Sequence, residues 1–354
     1  MKQILLLVIL FAAIVACRQN PDSIPVESST NQNNNNGIYY WKTRFSLNDY
    51  ELSFLREYEI SRIYVKMFDV ALQNNAPDDT LALVPIATTR FESSIPEGVE
   101  TIPTVYITYE ALCYINGMDD TVINSYIDRI LTRVYAMCSY NEITNVKEIQ
   151  FDCDWTSSTS YVYRRMCRYA KQKLNRKGIK FSITLRLHQM GLSSYNYPEA
   201  DRGVLMLYNT GSFKNPRTTN SILSYNDVEP YIRKHEVPFP LDYAYPTYSW
   251  HLLFRNDEFQ CIVRNIELSD STMFQKSDYN KYVVKRDYLL GDISMKKGDV
   301  IRHECSEFSE IERVKSDMSR RHNMKNSRHI IYHLDSTNLS NYTDNEIQYI
   351  FLGY

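Results

Sequence analysis

The segment KEIQFDCDWTSSTSY (residues 147–161) is the stretch on which the fold turns. Written as a strand, it sends Glu148, Gln150, Asp152, Asp154 and Thr156 to one side and Ile149, Phe151, Cys153 and Trp155 to the other. An edge strand with one wet face would show this pattern, and so would a barrel strand whose polar face lines a site. The next strand-like stretch, IKFSITLRLHQ, repeats it: Ser182, Thr184, Arg186 and His188 alternate with Phe181, Ile183, Leu185 and Leu187. A parallel strand covered on both sides normally reads as a continuous apolar run. Two successive strands that break this rule in the same way point to a polar, solvated mouth; a satisfied polar plug without a ligand is the plainer alternative.

Outward from this pair, strand patterns alternate with helical ones or with long connections. GIYYWKTRF, SRIYVKMFDVAL and ETIPTVYIT precede the pair, and RGVLMLYNTGSF, FPLDYAYPTYSWHLLF and RHIIYHLDS follow it. Eight such strands separated by crossover lengths predict an α/β protein with a (β/α)8 TIM barrel. A doubly wound open sheet is the structural rival, but no glycine-rich phosphate loop follows the first strand. A long stretch, residues 255–328, interrupts the pattern between the seventh and eighth strands. It is expected to hold a hairpin around LLGDISMKKGDVIRHE and a helix over residues 306–323, as a wall of the groove or an outside embellishment.

The first residues, MKQILLLVILFAAIVAC, hold one Lys, an apolar run and a small Ala16 before Cys17. This is a secretion signal, too short for a membrane span. The residues Ile14-Val15-Ala16-Cys17 resemble the lipobox of bacterial lipoproteins, which implies cleavage before Cys17, acylation of that cysteine and anchoring to an envelope membrane. The domain expectation is therefore a signal peptide over 1–16, a flexible Asn-rich tether over 17–37 and a barrel over 38–354. A net charge of -2 gives no electrostatic reason to expect nucleic acid. The seven cysteines include no C-x-x-C pair, so buried thiols are favoured over a disulfide framework, and no His/Cys spacing calls for a metal or any other cofactor. Nothing in the residues sets an oligomeric state.

The motifs along strands four to eight bring a family into view. IQFDCDWT resembles the fourth-strand D-x-x-D-x-D-x-E motif of the chitinase-class, family 18 glycoside hydrolases, with Asp152 and Asp154 on the second and third Asp, Ile149 at the first and Thr156 at the Glu. MLYN, ending in Tyr208 and Asn209, is similar to that family's sixth-strand M-x-Y-D/N. YPTYSW (Tyr245, Tyr248, Trp250) looks like its seventh-strand segment, and YHLD (Tyr332, Asp335) sits where it carries W-x-x-D. The resemblance implies a carbohydrate-sized groove in which Asp154 and Tyr208 would hold a substrate's acetamido group. It also implies a missing general acid, because Thr156 cannot deliver a proton near neutral pH, and a positioned acid contributes on the order of 10²–10⁴ in rate.

The residues themselves leave other chemistry open. Asp152 and Asp154 have Cα atoms about 6.5 Å apart by strand rise, a spacing that carboxylate-pair hydrolysis does not forbid, although both project from one wall. His188, or Glu110 after the third strand, could stand in as the acid, which makes Asp152, Asp154 and His188 the catalytic candidates. Lys66, Tyr106, Arg186, Tyr208, Asn209, Tyr245, Tyr248, Trp250 and Tyr332 are the candidates for holding a carbohydrate, the expected partner, since flat rings with polar edges suit sugar faces. Lys42 and Arg44 on the first strand would add charge to the mouth, while parity places Trp41 and Trp155 outside. Binding, hydrolysis and a purely structural or partner-binding role for a relic barrel are the three classes of function considered.

Overall fold

In the computed structural model, residues 36–73, 82–233 and 237–352 are described. The expected leader, Cys17 and the expected tether up to residue 35 lie outside them. Eight strands, each parallel to its neighbours, close on themselves: β1 (Asn36–Tyr40), β2 (Arg62–Leu72), β3 (Glu100–Ile107), β4 (Glu148–Cys153), β5 (Lys180–Leu185), β6 (Arg202–Met206), β7 (Leu241–Pro246) and β8 (His329–Tyr332). β1 completes the ring by pairing with both β2 and β8. This is the (β/α)8 barrel that the alternation predicts. Strand β1 begins at Asn36, two residues inside the expected tether.

Period-two alternation sorts the side chains into two cores. Facing out, Ile38, Tyr40, Ile149, Phe151, Cys153, Phe181, Ile183 and Leu185 join one large cluster with the helices. Among these helices are α1 (Asp49–Glu57), α2 (Tyr109–Ile115), α3 (Asp120–Tyr140), α4 (Ser160–Asn175), α5 (Tyr225–Ile232), α6 (Phe308–Arg321), α7 (Ser336–Leu339) and α8 (Asp344–Phe351). Facing in, Tyr39, Tyr64, Ile102, Val204, Met206, Tyr208, Ala244 and Ile330 form a separate cluster that fills the barrel. The outward set explains Trp155, which is buried and stacks on Tyr163 of α4 at 6.2 Å. The six cysteines of the described residues are free thiols, and Cys153 and Cys167 are buried.

The polar face of β4 runs through the whole depth of the barrel. At the N-terminal end, Glu148 accepts from Arg328 at 2.7 Å, and Arg328 also donates to the Tyr64 hydroxyl at 2.9 Å. Asp242 accepts from Arg202 at 2.6 Å and from the Arg328 backbone at 2.7 Å, which completes a buried floor. One layer up, Tyr39 crosses the lumen to donate to Gln150 at 2.8 Å. Above that lies Asp152, and beyond the end of the strand lies Asp154.

The insertion is an antiparallel five-stranded sheet in the order Glu258–Val263, Ser249–Arg255, Val300–Cys305, Lys281–Val284, Phe274–Lys276, with a hairpin of Tyr288–Leu290 and Ile293–Met295. The stretch read as one seventh strand is thus two. β7 stops at Pro246, and Ser249–Arg255 belongs to the insertion sheet. The expected helix forms over Phe308–Arg321.

Candidate functional site

The mouth is built where inward positions reach the C-terminal ends of the strands. Strand register sets Asp69 beside Tyr106 and Tyr106 beside Asp152, so β2, β3 and β4 present a continuous polar row. Asp152 is buried and accepts from the Thr184 hydroxyl of β5 at 2.6 Å. Burial, then the neighbouring Asp154 charge, pushes its carboxyl up to about 6. Asp154 lies just past β4, where Arg186 grips it in a two-pronged bond, Nε to Oδ1 at 2.6 Å and Nη2 to Oδ2 at 2.8 Å. Burial opposes the guanidinium charge, but the Asp154 bonds outweigh it and Arg186 is held above its ordinary range. The pair stays wet, with side-chain exposures of 21% for Arg186 and 38% for Asp154.

Aromatic rings surround this pair. Tyr208 and Tyr332 stack at 4.7 Å, Tyr248 meets both edge-on at 6.4 and 5.8 Å, and Trp250 continues the row at 5.5 Å from Tyr248. Trp41 packs 5.9 Å from Tyr332 and 5.8 Å from Tyr39, so it lies on the lumen side, against the expectation from parity. Tyr106 lies beside Asp152 in the strand register, and burial and then the carboxylates Asp154 and Asp152 raise its phenol. Trp250 is fixed from behind: its Nε1 donates to Glu304 at 2.8 Å, and Glu304 also accepts from Arg302 and Ser221. Buried Arg302 donates to the Phe213 and Asn215 carbonyls at 2.9 and 2.8 Å, which clamps the loop after β6 to the insertion sheet. The insertion is thereby one wall of the mouth.

Other expected residues fall elsewhere. Tyr245 has the outward register of β7; it is fully buried among the helices, with the Lys315 ammonium 5.7 Å from its ring, and takes no part in the mouth. Lys42 pairs with Glu51 at 3.1 Å and Asp335 at 3.0 Å, and Arg44 is exposed beside Glu92, so neither enters the lumen; β1 presents Tyr39 and Trp41 there instead. Asn209, at φ 54°, leaves the strand and accepts from the Tyr248 hydroxyl at 2.5 Å, so it steadies a ring. Lys66 does reach the lumen, buried, 3.0 Å from Asp69 and 6.0 Å from the Trp41 ring. Asp69 escaped the sequence reading because residues 66 and 69 should lie on opposite faces. A bulge between Lys66 and Phe68 resets the alternation.

Thr156 sits in the loop with its hydroxyl 2.9 Å from that of Ser158, and Glu110 is exposed in the first turn of α2. His188 is exposed on a short turn after β5; burial of its inner side and the nearby Arg186 charge lower its proton affinity, the wrong direction for an acid. Asp152, its carboxyl raised to about 6, is covered. Among the described residues, no three His, Cys, Asp or Glu side chains meet at one point as placed. Surface cavities of about 520 and 460 Å³ lie in the insertion and between β2 and α3, and neither is lined by Asp152, Asp154 or Arg186.

No family model matches this sequence, and no curated protein matches it. Among solved structures the chain is similar to the spore cortex-lytic enzyme SleL of Bacillus cereus, with TM-score 0.46 and 15% identity over 84% of this chain and 71% of that one. It is also similar to a chitinase from Chromobacterium violaceum, with TM-score 0.47 and 10% identity over 86% and 96%. A class V chitinase from Nicotiana tobaccum gives TM-score 0.46 and 11% identity over 85% and 95%.

Proposed function

We propose that the mouth binds a carbohydrate and does not cleave it. The observation that carries this reading is the partly exposed Arg186–Asp154 fork set within a rim of Tyr106, Tyr208, Tyr248, Trp250, Tyr332 and Trp41. Rings supply flat apolar faces and the fork supplies fixed donors and acceptors, which is what sugar rings and their hydroxyls require. Two of the five guanidinium N–H groups serve Asp154. Hydrolysis needs a proton donor within hydrogen-bond reach of the leaving oxygen. The Asp152 carboxyl is pushed up to about 6, but it is buried and spent on Thr184.

The sequence adds a location to this reading: a lipoprotein of a bacterial envelope, acylated at Cys17 and tethered to its membrane. Replacement of Cys17 by Ser should move the protein from the membrane to the soluble fraction; retention in the membrane would refute the anchor.

The binding reading is tested by incubating the full chain with N-acetylated, acidic and neutral oligosaccharides and following both heat of binding and products by mass spectrometry, beside Asp154→Asn. Saturable binding without new products, weakened in the variant, supports it. Products that vanish in the variant would establish a hydrolase, and neither binding nor products from any glycan would leave a structural lipoprotein.

A further inference from the structure

Three carboxylates, Asp69, Asp152 and Asp154, share the mouth with two cations, Lys66 and Arg186. Each cation is already matched: Lys66 Nζ lies 3.0 Å from Asp69, and Arg186 forks onto Asp154. Asp152 is left over. One of its oxygens accepts from the uncharged Thr184 hydroxyl, and among the described residues no cation pairs with it. Burial and then Asp154 raise its carboxyl to about 6, so at pH 7 it is mostly ionised. The surroundings bring no spare cation: Arg302 is matched by Glu304, Lys42 is outweighed by Glu51 and Asp335, and burial lowers the proton affinity of His188. The mouth thus carries one negative charge more than its own side chains offset.

Aromatic rings encircle that charge. Tyr39 of β1, Tyr106 of β3, Tyr208 just past β6 and Tyr332 of β8 all feel it: burial is the main cause that raises each phenol, and Asp152 adds to it in all four. Trp41 closes the circle, 5.8 Å from Tyr39 and 5.9 Å from Tyr332. Neutral rings present negative faces, which attract a cation and do nothing for an anion. Lys66 already uses one of them, its Nζ standing 6.0 Å from the Trp41 ring. A carboxylate without a cation, set among ring faces, is the setting in which an ammonium group is recognised.

We propose that the mouth selects a glycan with a free, unacylated amino group, whose ammonium rests on the ring faces beside Asp154 while Asp152 beneath supplies the balancing charge. The inference rests on the carbohydrate reading of the mouth and adds the class of carbohydrate. Asp154 is the carboxylate the ammonium meets, since its side chain is 38% exposed and Arg186 holds it in place. Asp152 is covered and acts through its charge alone. An acetylated amine brings no charge to offset it, and a sugar carboxylate brings one of the same sign, so both classes should bind less tightly.

The test is calorimetric titration of the full chain at pH 7 with glucosamine oligosaccharides, and with N-acetylglucosamine and glucuronic acid oligosaccharides of the same length. A neighbouring opposite charge moves a protonation equilibrium by about 1–3 units, so the native chain should favour the free-amine form by about tenfold or more. Asp152→Asn keeps an acceptor for Thr184 and removes the charge, so the ratio of the amine to the acetylated affinity should fall toward one. Lys66→Met removes a cation and should widen the same ratio. Urea midpoints of both variants establish that each is folded. Equal binding of the three glycans by the native chain, tighter binding of the acetylated or acidic one, or a ratio that moves the same way in both variants overturns the inference and leaves the carbohydrate reading standing. No binding of any glycan by the folded native chain overturns the carbohydrate reading, and this inference with it.

Discussion

The floor and the mouth of the barrel hold the same kinds of group in opposite surroundings. At the floor Arg328 stands between Glu148 and Asp242, with side-chain exposures of 8%, 1% and 0%. At the mouth Arg186 forks onto Asp154 above Asp152, and the Asp154 side chain is 38% exposed. One strand, β4, contributes to both ends. What separates them is water. Where it is excluded, an unpaired charge is expensive and the network fastens the fold; where it enters, the same chemistry can exchange solvent for a ligand.

The largest expected effect comes from breaking the floor. Arg328→Met leaves Glu148 buried without its cation, while Asp242 keeps Arg202 and the backbone N–H of residue 328, and should destabilise the chain by about 3–5 kcal/mol, or prevent folding, as read by urea denaturation. The matching change at the mouth, Arg186→Met, should cost less than about 1 kcal/mol of stability, because the solvated pair is screened. A loss at the mouth as large as that at the floor would erase the distinction between the two ends.

A smaller effect concerns the buried acids. Asp152 and Asp242 are both pushed up to about 6, first by burial, from an ordinary value of about 3.9. Between those pH values the folded chain keeps protons that the unfolded chain has released. Stability from these groups is therefore greatest below the window and declines as pH rises through it. Asp152→Asn removes one share of this: it should stabilise the fold by roughly 3 kcal/mol at pH 7 and by nothing near pH 4, flattening the urea midpoint against pH. An equal gain at both pH values would show that packing, not ionisation, is responsible. Smallest, Tyr39→Phe removes the single bond to Gln150 across the lumen and should cost about 1 kcal/mol, measured by the same unfolding assay.

The barrel was legible because helices and strands alternate, and the mouth was legible on β4 and β5 because polar residues there keep strict period two. The first strand gave no such signal: Tyr39 faces in and Tyr40 faces out, both are aromatic and both are buried, so neither face announces itself. That ambiguity misplaced Lys42, Arg44 and Trp41 together. Tyr245 was misassigned because a single run of strand-like residues hides the break after Pro246. Asp69 needed the bulge in β2, and the clamps from Glu304 and Arg328 span 54 and 180 residues to Trp250 and Glu148, distances over which local periodicity carries no information.

The measurement closest to the central claim is calorimetric titration of the native chain and of Arg186→Met with an oligosaccharide that the native chain binds, each sample checked for its unfolding midpoint. Binding should weaken by about 10–100-fold, the worth of a charge-assisted hydrogen bond, while the midpoint barely moves. Binding that survives Arg186→Met unchanged, or that falls only in proportion to lost stability, would contradict a recognition site built on the Arg186–Asp154 fork.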